Sequence, residues 1–253
     1  MTGTDRSSQT WKRYGLVFLN WLYATLPIFP EFLSVHSKAL GIIQAWHLVS
    51  RNGTKGDYVE FGVYQGDAFK LSLRAARNCF KTSPRGAFEG RFFAFDSFQG
   101  LPKVRSLENK SSVFAKGEYA CSLEQFKKNI SLAVKNSEVI ITEGWFSDTL
   151  TCETRDKYSL SHIAVANIDC DLYESTVPCL EFITPLVRDG TILMFDDWFL
   201  MNASLKQGEA LAAEEWLRRN PSIKLIPFVK YGVGGMMFIV NLQDSSSPFC
   251  IGG

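Results

Sequence analysis

The chain has 253 residues, of which 46% are hydrophobic and 21% are charged, and its formal net charge is +1. A chain of this length can form one large domain that buries roughly 70–75% of its unfolded surface. The nearly balanced charge excludes the strongly basic composition that is typical of nucleic-acid binding. The six cysteines include no C-x-x-C pair, so neither a zinc site nor a disulfide framework is predicted, and a reducing, cytoplasmic location is expected.

The N-terminal part is expected to be an extension of the folded domain. Residues 1–10 are polar and are expected to be disordered, and residues 11–52 are expected to form a helical extension. The apolar stretch 16–29 follows two basic residues, an order that also occurs in signal peptides. It contains Asn20, is followed by no small-x-small cleavage pattern, and is shorter than the roughly 20 apolar residues of a membrane-spanning helix. A helix that packs on the domain, on a partner subunit or at the substrate entrance is favoured over secretion or association with a membrane surface.

Residues 53–253 form one predicted domain in which strands and helices alternate. Apolar residues at helical spacing predict a helix at 38–51. The predicted strands that follow are 57–63, 90–96, 138–142, 163–168 and 190–197, with helices after the glycine turn at residue 66, after Ser122, at 173–187 and at 208–220. Residues 97–121 form a long polar loop, a length that is typical of functional lids or of disordered segments. Two more strands within 222–240 are joined by a tight connection, so they are expected to be antiparallel.

The strands are continuously apolar, which is typical of a parallel sheet that is covered by helices on both faces. The sequence therefore predicts a three-layer, Rossmann-like α/β fold. Its sheet is expected to be mostly parallel, with the terminal antiparallel hairpin at one edge and the helical extension at the N-terminus.

Acidic residues lie at the ends of five consecutive predicted strands. They are Glu60, Asp96, Glu143, Asp169, Asp171, Asp196 and Asp197. In open parallel sheets, ligands bind in the crevice beyond the carboxyl ends of the strands, so we expect these acids to line one cleft. For a single acid, capping of the following helix is an equal alternative. It is less favoured for seven acids, because several carboxylates would have to be desolvated together.

The first predicted strand leads into the sequence EFGVYQG, residues 60–66, whose two glycines are four positions apart. This spacing differs from the G-x-G-x-x-G sequence that binds a pyrophosphate, so a ligand without phosphates is favoured. Asp96 ends the second strand, where an acid can accept hydrogen bonds from ribose hydroxyls. A ribose, a nearby positive centre and no phosphate describe S-adenosylmethionine.

Asp169, Asp196 and Asp197 follow two strands that are expected to be neighbours in the sheet. Three carboxylates without histidine or cysteine favour a hard cation such as Mg²⁺. Without a cation, carboxylates at such short distances would force one of them to remain protonated. The alternative is a structural cluster in which the acids form hydrogen bonds within the loops.

Five motifs resemble, in the same order, those of the macrocin-type O-methyltransferases, which are Mg²⁺-dependent S-adenosylmethionine enzymes acting on sugar hydroxyls of antibiotics. The motifs are EFGVYQG, DSFQGLP, EGWFSDTL, NIDCDLYEST and FDDW, and they span roughly residues 59–198. The resemblance implies a class I methyltransferase fold for residues 53–253. The three histidines of the chain lie outside these motifs, and neither the N-terminal segment nor the loop 97–121 has a recognisable match.

The resemblance also implies roles for individual residues. The cofactor would be bound by Glu60, Gly62, Val63, Tyr64, Gly66, Asp96 and Ser97. Mg²⁺ would be bound by Asp169, Asp196 and Asp197, and Asp171 would be the general base. The expected reaction is methyl transfer to a hydroxyl of a sugar-like or other polyhydroxylated small molecule.

Two other functions remain open at this point. The D-x-D sequence of Asp169 and Asp171 is used by metal-dependent glycosyltransferases to bind a nucleotide sugar, although this leaves the glycine loop and Asp197 unexplained. A non-catalytic cofactor-binding protein is the other alternative, and the intact set of acids disfavours it. A homo-oligomer is expected because aromatic residues of the N-terminal segment provide apolar surface that must be covered. They are Trp11, Trp21, Tyr23 and Phe29.

Overall fold

The computed structural model describes Trp21, Thr25, residues 29–102 and residues 116–243. The expected disorder of residues 1–10, most of the apolar stretch 16–29 and the centre of the expected lid lie outside the described residues. Among the helices that are described, none combines the length and the apolar character needed to cross a membrane. The described cysteines have free thiols.

Helices and strands alternate along the described chain. The helices are α1 (Phe29–Asn52), α2 (Asp67–Lys81), α3 (Leu123–Val134), α4 (Phe146–Thr149), α5 (Cys152–Lys157), α6 (Tyr173–Ile183), α7 (Leu200–Ala203) and α8 (Gly208–Arg219). The strands are β1 (Asp57–Phe61), β2 (Phe92–Asp96), β3 (Val139–Glu143), β4 (Ile163–Ile168), β5 (Ile192–Phe195), β6 (Ile223–Tyr231) and β7 (Gly235–Leu242). The main difference from the prediction is that α1 begins at Phe29 instead of near residue 38.

The seven strands form one sheet in the order β3-β2-β1-β4-β5-β7-β6. The pairs from β3 to β5 are parallel, whereas β7 is antiparallel to both β5 and β6. The predicted α/β fold with a terminal antiparallel hairpin is confirmed. The chain builds outward from β1 through β2 to β3 and then returns to place β4 on the other side of β1. The junction of β1 and β4 is therefore the topological switch point, where ligands bind in sheets of this kind.

Helices cover both faces of the sheet because successive strand residues point to opposite sides. Tyr58 belongs to a buried cluster with Trp46 of α1, whereas the next residue, Val59, belongs to a second cluster with Trp216 of α8. Each face thus has its own apolar layer between sheet and helices. This arrangement makes the three predicted layers.

Helix α1 is part of the core and covers the face of the sheet that carries Tyr58. Its residues Ile42, Ala45, Trp46 and Val49 are at most 1% exposed. The indole of Trp46 contacts the ring of Tyr58, with 5.8 Å between ring centroids. The described part of the expected extension therefore packs tightly against the sheet, and this packing fixes the position of α1 above the strand ends.

We expect Trp46→Ala to lower the free energy of unfolding by about 3–5 kcal/mol, because it leaves a large cavity between α1 and the sheet. Leu132→Ala, on α3, is the control, since that side chain is 83% exposed and its truncation should cost no more than about 0.5 kcal/mol. Urea denaturation of both variants measures the difference. A loss below about 1 kcal/mol for Trp46→Ala would contradict the packing of α1 on the sheet.

Candidate active site

The loop after β1 and the end of β4 touch each other at the switch point. The backbone N–H of Asp169 donates a hydrogen bond to the carbonyl of Phe61 over 2.9 Å. Gly62 has a φ of +82°, and a Cβ at this position would lie 1.9 Å from the carbonyl oxygen of Asp169. Because only glycine tolerates both the backbone angle and the contact, Gly62 allows the predicted cofactor loop to lie against the first of the predicted metal ligands.

A cavity of about 600 Å³ opens at this edge of the sheet, a volume that is typical of small-molecule sites. It is lined by six of the seven predicted acids, namely Glu60, Asp96, Asp169, Asp171, Asp196 and Asp197. Gly62, Val63, Tyr64 and Ser97 also line it, whereas Gly66 is the N-terminal capping residue of α2. Glu143 is exposed and is absent from the lining, so the expectation that all seven acids face one cleft is wrong for Glu143.

Asp96 holds the loop between β1 and α2 in place. Its Oδ2 accepts hydrogen bonds from the backbone N–H of Val63 over 2.7 Å and of Tyr64 over 3.3 Å, and its Oδ1 accepts from Phe98 N–H over 2.7 Å. Burial raises the pKa of Asp96, and these hydrogen bonds oppose the rise. A carboxylate offers about four acceptor positions, so Asp96 can orient the loop and still accept a hydrogen bond from a ligand.

Glu60 lies on the cavity wall but is 1% exposed, and its carboxyl group accepts a short hydrogen bond from the hydroxyl of Tyr58. Burial raises the pKa of Glu60 to about 8, and the hydrogen bond from Tyr58 opposes the rise. Glu60 is therefore largely protonated at neutral pH. It is a buried hydrogen-bonding group in this state and not a counter-charge on the cavity surface.

Four acids meet where β4 and β5 end side by side. Burial raises the pKa of Asp169 to about 7, with a further contribution from the charge of Asp196. Burial also raises the pKa of Asp171 to about 6, and a hydrogen bond with Asp197 opposes this rise. Asp171 has a φ of +64°, an uncommon backbone conformation for a residue other than glycine, in the tight turn between β4 and α6.

Lys38 of α1 reaches the same cluster, and the sequence reasoning did not anticipate it. Its Nζ donates hydrogen bonds to Oδ2 of Asp169 over 2.8 Å and to Oδ2 of Asp196 over 2.9 Å. Burial favours a lower pKa for Lys38, but the two carboxylates outweigh it and hold the pKa well above its ordinary value. Lys38 precedes the buried residue Ile42 by four positions. A lysine in line with the apolar face of a helix is the signal that could have identified it.

Glu209, in the first turn of α8, is the second residue that was not anticipated. Its Oε2 accepts a hydrogen bond from the backbone N–H of Asp197 over 2.9 Å, and the residue is 1% exposed. Burial raises the pKa of Glu209 well above its ordinary value, with a contribution from the charge of Asp197. Within the sequence, Glu209 looks like an ordinary acid in the first turn of a helix, so no pattern distinguishes it.

The cluster has the donor chemistry of a Mg²⁺ site but not yet its geometry. Within the described residues, no group of three or more acidic, histidine or cysteine side chains converges as metal ligands do. The donors are nevertheless all carboxylate oxygens, which Mg²⁺ prefers. In addition, Oδ2 of Asp197 is buried without a hydrogen-bond partner among the described residues. The residue types fit the ion, provided that Lys38 leaves its position between Asp169 and Asp196.

Solved structures with this fold identify the class of protein. The chain is similar to the structure of the O-methyltransferase NovP, with a TM-score of 0.62 and 25% sequence identity over 80% of this chain and 79% of that one. It is also similar to the calicheamicin methyltransferase CalS11, with a TM-score of 0.65 and 21% identity over 94% of each chain. The class is therefore that of the Rossmann-like O-methyltransferase fold.

The family follows from the sequence match. The family model described as macrocin-O-methyltransferase (TylF) matches residues 38–218, which is more than half of the chain. The chain belongs to this family, as its five motifs predict. The match begins at Lys38 and contains every acid of the cleft.

The curated relatives that the chain resembles are named as O-methyltransferases. The chain is 30% identical over 156 residues to the 8-demethyl-8-(2,3-dimethoxy-alpha-L-rhamnosyl)-tetracenomycin-C 4'-O-methyltransferase of Streptomyces olivaceus, covering 59% of this chain and 56% of that protein. It is 31% identical over 160 residues to the demethyldecarbamoylnovobiocin O-methyltransferase of Streptomyces niveus, covering 59% and 55%. The matched region thus spans about half the length of these relatives.

We expect Glu60→Gln to remove a dependence of stability on pH. The pKa of Glu60 is raised in the folded protein, so its contribution to stability is complete below the unfolded pKa and is lost as the pH rises through about 8. The variant lacks this titrating group, so the difference in unfolding free energy, variant minus parent, should become more positive between about pH 5 and pH 9. The increase should be at least about 1.4 kcal/mol, which is the free energy of one pKa unit. Chemical denaturation at both pH values, with exposed Glu89→Gln as the control, measures this. If the difference in unfolding free energy between variant and parent is the same at both pH values, the conclusion that Glu60 is buried in its protonated form is contradicted.

Proposed function

We propose that this protein is an S-adenosylmethionine- and Mg²⁺-dependent O-methyltransferase that acts on a hydroxyl of a sugar-like or other polyhydroxylated small molecule. Membership of the family and the names of the curated relatives support the reaction and the sugar-like acceptor. One structural observation carries the proposal. Asp171 and the three predicted metal ligands share a single cavity with the glycine loop that follows β1.

The cofactor is proposed to bind between the loop after β1 and the end of β2. S-adenosylmethionine supplies a methyl group on a positively charged sulfur, and transfer of this group to oxygen leaves a neutral thioether. Gly62 has no side chain between its backbone and the cavity. Asp96 accepts hydrogen bonds from the amides of Val63 and Tyr64 and so fixes their positions. Asp96 also retains acceptor capacity for a ribose hydroxyl. Ser97 lines the same end of the cavity.

Asp171 is proposed as the general base. Its pKa of about 6, raised by burial, leaves the carboxylate ionised at neutral pH and more basic than an exposed aspartate. A catalytic base works best when its pKa is close to the working pH. Asp171 would accept the proton of the acceptor hydroxyl while that oxygen forms its bond to the methyl carbon, and the electron pair of the broken C–S bond goes to sulfur.

Asp169, Asp196 and Asp197 are proposed to bind Mg²⁺. A bound Mg²⁺ would orient the acceptor hydroxyl and lower its pKa. Hydrogen bonds from the backbone N–H groups of the three proposed ligands fix their main-chain positions. Asp169 N–H donates to β1, Asp196 N–H donates to the carbonyl of Ile168 over 3.0 Å, and Glu209 holds Asp197 N–H.

The apolar part of the cavity is proposed to keep water away from the reacting groups. Ile42, Leu71, Leu101, Trp145 and Leu200 contribute to its walls. Exclusion of water strengthens the interaction of a carboxylate base and a sulfonium with the groups around them. Closure of a lid by residues 97–121 remains a prediction, because residues 103–115 lie outside the described residues.

A homo-oligomer also remains a prediction. Exposed apolar residues on α1 support it, since Val35 is 71% exposed, Leu40 is 47% exposed and Ile43 is 41% exposed. A second copy that covered these side chains would remove them from water. Their position on α1 would bring such a partner close to the mouth of the cavity.

We expect Asp171→Asn to reduce turnover at least about 100-fold, because general-base catalysis contributes about 10²–10⁴ to a rate. Binding of S-adenosylhomocysteine, measured by calorimetry, should change little, since the asparagine keeps the shape of the side chain. Turnover is measured by mass shift of a polyhydroxylated acceptor found by screening with the parent protein. Asp156→Asn, at an exposed position of α5, is the control. Turnover within threefold of the parent in Asp171→Asn would remove Asp171 as the base.

We expect EDTA to abolish turnover and added Mg²⁺ to restore it. Asp196→Ala should weaken Mn²⁺ binding at least tenfold, because one of three proposed ligands is lost, and it should leave binding of S-adenosylhomocysteine in place. Turnover that does not respond to EDTA would contradict the proposed metal dependence. A parallel titration with UDP tests the glycosyltransferase alternative, and binding of UDP in preference to S-adenosylhomocysteine would favour that alternative.

A further inference from the structure

Helix α1 holds Lys38 above the ends of β4 and β5. On the preceding residue, the hydroxyl of Ser37 accepts a hydrogen bond from the backbone N–H of Gly232, in the turn between β6 and β7, over 3.2 Å. One turn after Lys38, a Cβ on Gly41 would lie 2.7 Å from Cε of Met237 and 3.1 Å from Cβ of Tyr231. Contacts on both sides of Lys38 therefore fix the backbone from which its side chain extends.

The ammonium group of Lys38 bridges two acids that belong to different strands. Its Nζ lies 2.8 Å from Oδ2 of Asp169 and 2.9 Å from Oδ2 of Asp196. About a quarter of each of the three side chains is exposed, so the ion pairs are partly shielded from solvent and retain more of their strength than surface pairs do. Among the described residues that line the cavity, Lys38 is the one basic residue, against seven acids.

The two bridged oxygens belong to two of the three proposed Mg²⁺ ligands. An ammonium group and a divalent cation that shared them would be only a few ångströms apart, and like charges at such distances repel strongly in a partly buried site. The two cations are therefore alternatives. Meanwhile, the hydrogen bonds of Lys38 go to Asp169 and Asp196, and Oδ2 of Asp197 has no hydrogen-bond partner among the described residues.

We propose that Lys38 is the internal cation of this site, and that a divalent ion binds only by displacing its ammonium group from Asp169 and Asp196. The inference rests on the proposed function, because it takes Asp169 and Asp196 as Mg²⁺ ligands. It goes beyond that function by assigning a role to Lys38, a residue of α1. Lys38 holds the two carboxylates together in the metal-free protein, because its Nζ donates a hydrogen bond to each of them. It also weakens metal binding, since the ion pairs of Lys38 must break first.

The test compares Mn²⁺ binding to the metal-free full chain with and without the lysine charge. We expect Lys38→Met to bind Mn²⁺ at least tenfold more tightly than the parent, by calorimetry at about pH 8, where proton competition for the acids is reduced. Lys38→Arg keeps the positive charge and should not gain affinity. Lys127→Met, at an exposed position of α3, makes the same change in net charge and should bind within twofold of the parent.

A second measurement follows Lys38 in the parent protein itself and uses the conservative variant Lys38→Arg only to assign the signal. In ¹⁵N-labelled protein, the Nζ signal of Lys38 is the lysine signal that Lys38→Arg lacks. We expect saturation with Mg²⁺ to shift this signal or to remove it by faster hydrogen exchange, because the ammonium group leaves its two partners. An Nζ signal that is unchanged by Mg²⁺ would overturn the inference.

Two outcomes of the binding experiment separate this inference from the proposed function. If the parent and Lys38→Met bind Mn²⁺ equally well and Asp196→Ala does not, the metal site stands and the role of Lys38 is overturned. If neither the parent nor Lys38→Met binds Mn²⁺, while both bind S-adenosylhomocysteine, the inference and the metal dependence are overturned together. Weaker binding by a folded Lys38→Met also overturns the inference, because the lysine would then support the metal.

Discussion

Repulsion between carboxylates is the constraint on which this site depends. Four aspartates lie where β4 and β5 end side by side, and burial makes charged carboxylates costly. The protein responds in two ways. It raises the pKa values of Asp169 and Asp197, so that these acids can carry a proton in place of a negative charge. It also brings the ammonium group of Lys38 to within hydrogen-bonding distance of Asp169 and Asp196. A cation is therefore part of the folded site before any ligand binds.

Two other acids, Asp96 and Glu209, hold the backbone around the cavity. Asp96 binds the amides of the loop after β1, and Glu209 binds the amide of Asp197. Gly62 lets this loop touch the carbonyl of Asp169. Binding groups and supporting groups are thus interleaved around the cavity. The hydrogen bonds to the backbone help to explain how a cluster of like charges has a defined geometry.

Environment gives chemically similar acids different properties. Glu60 is enclosed and has a pKa of about 8, whereas Asp171 is closer to the cavity and has a pKa of about 6. The first suits a hydrogen-bonding group that carries a proton, and the second suits a base. Separation of pKa values between neighbouring acids is what distinguishes acid and base roles in many active sites, and burial is the main cause of it here.

Much of the fold could be predicted because it depends on local patterns. The β4 strand is bounded correctly by its apolar run, and Ser122 caps α3 as its sequence context predicts, accepting a hydrogen bond from Gln125 N–H over 3.2 Å. The acids at the strand ends were found by the same reasoning, since parallel strands bring their carboxyl ends together. Glu143 is the exception: it ends β3, the edge strand of the sheet, and the residues that follow it, Gly144, Trp145 and Phe146, line the cavity in its place.

The sequence by itself determined the alternation of strands and helices, the antiparallel hairpin and the positions of most cleft acids, because these follow from the spacing of residues that are close along the chain. Only the tertiary structure decided which acids are protonated and which cation they face. Lys38 is 131 positions from Asp169 and 158 from Asp196. No local pattern encodes such a contact, because it depends on how closely α1 packs against the sheet.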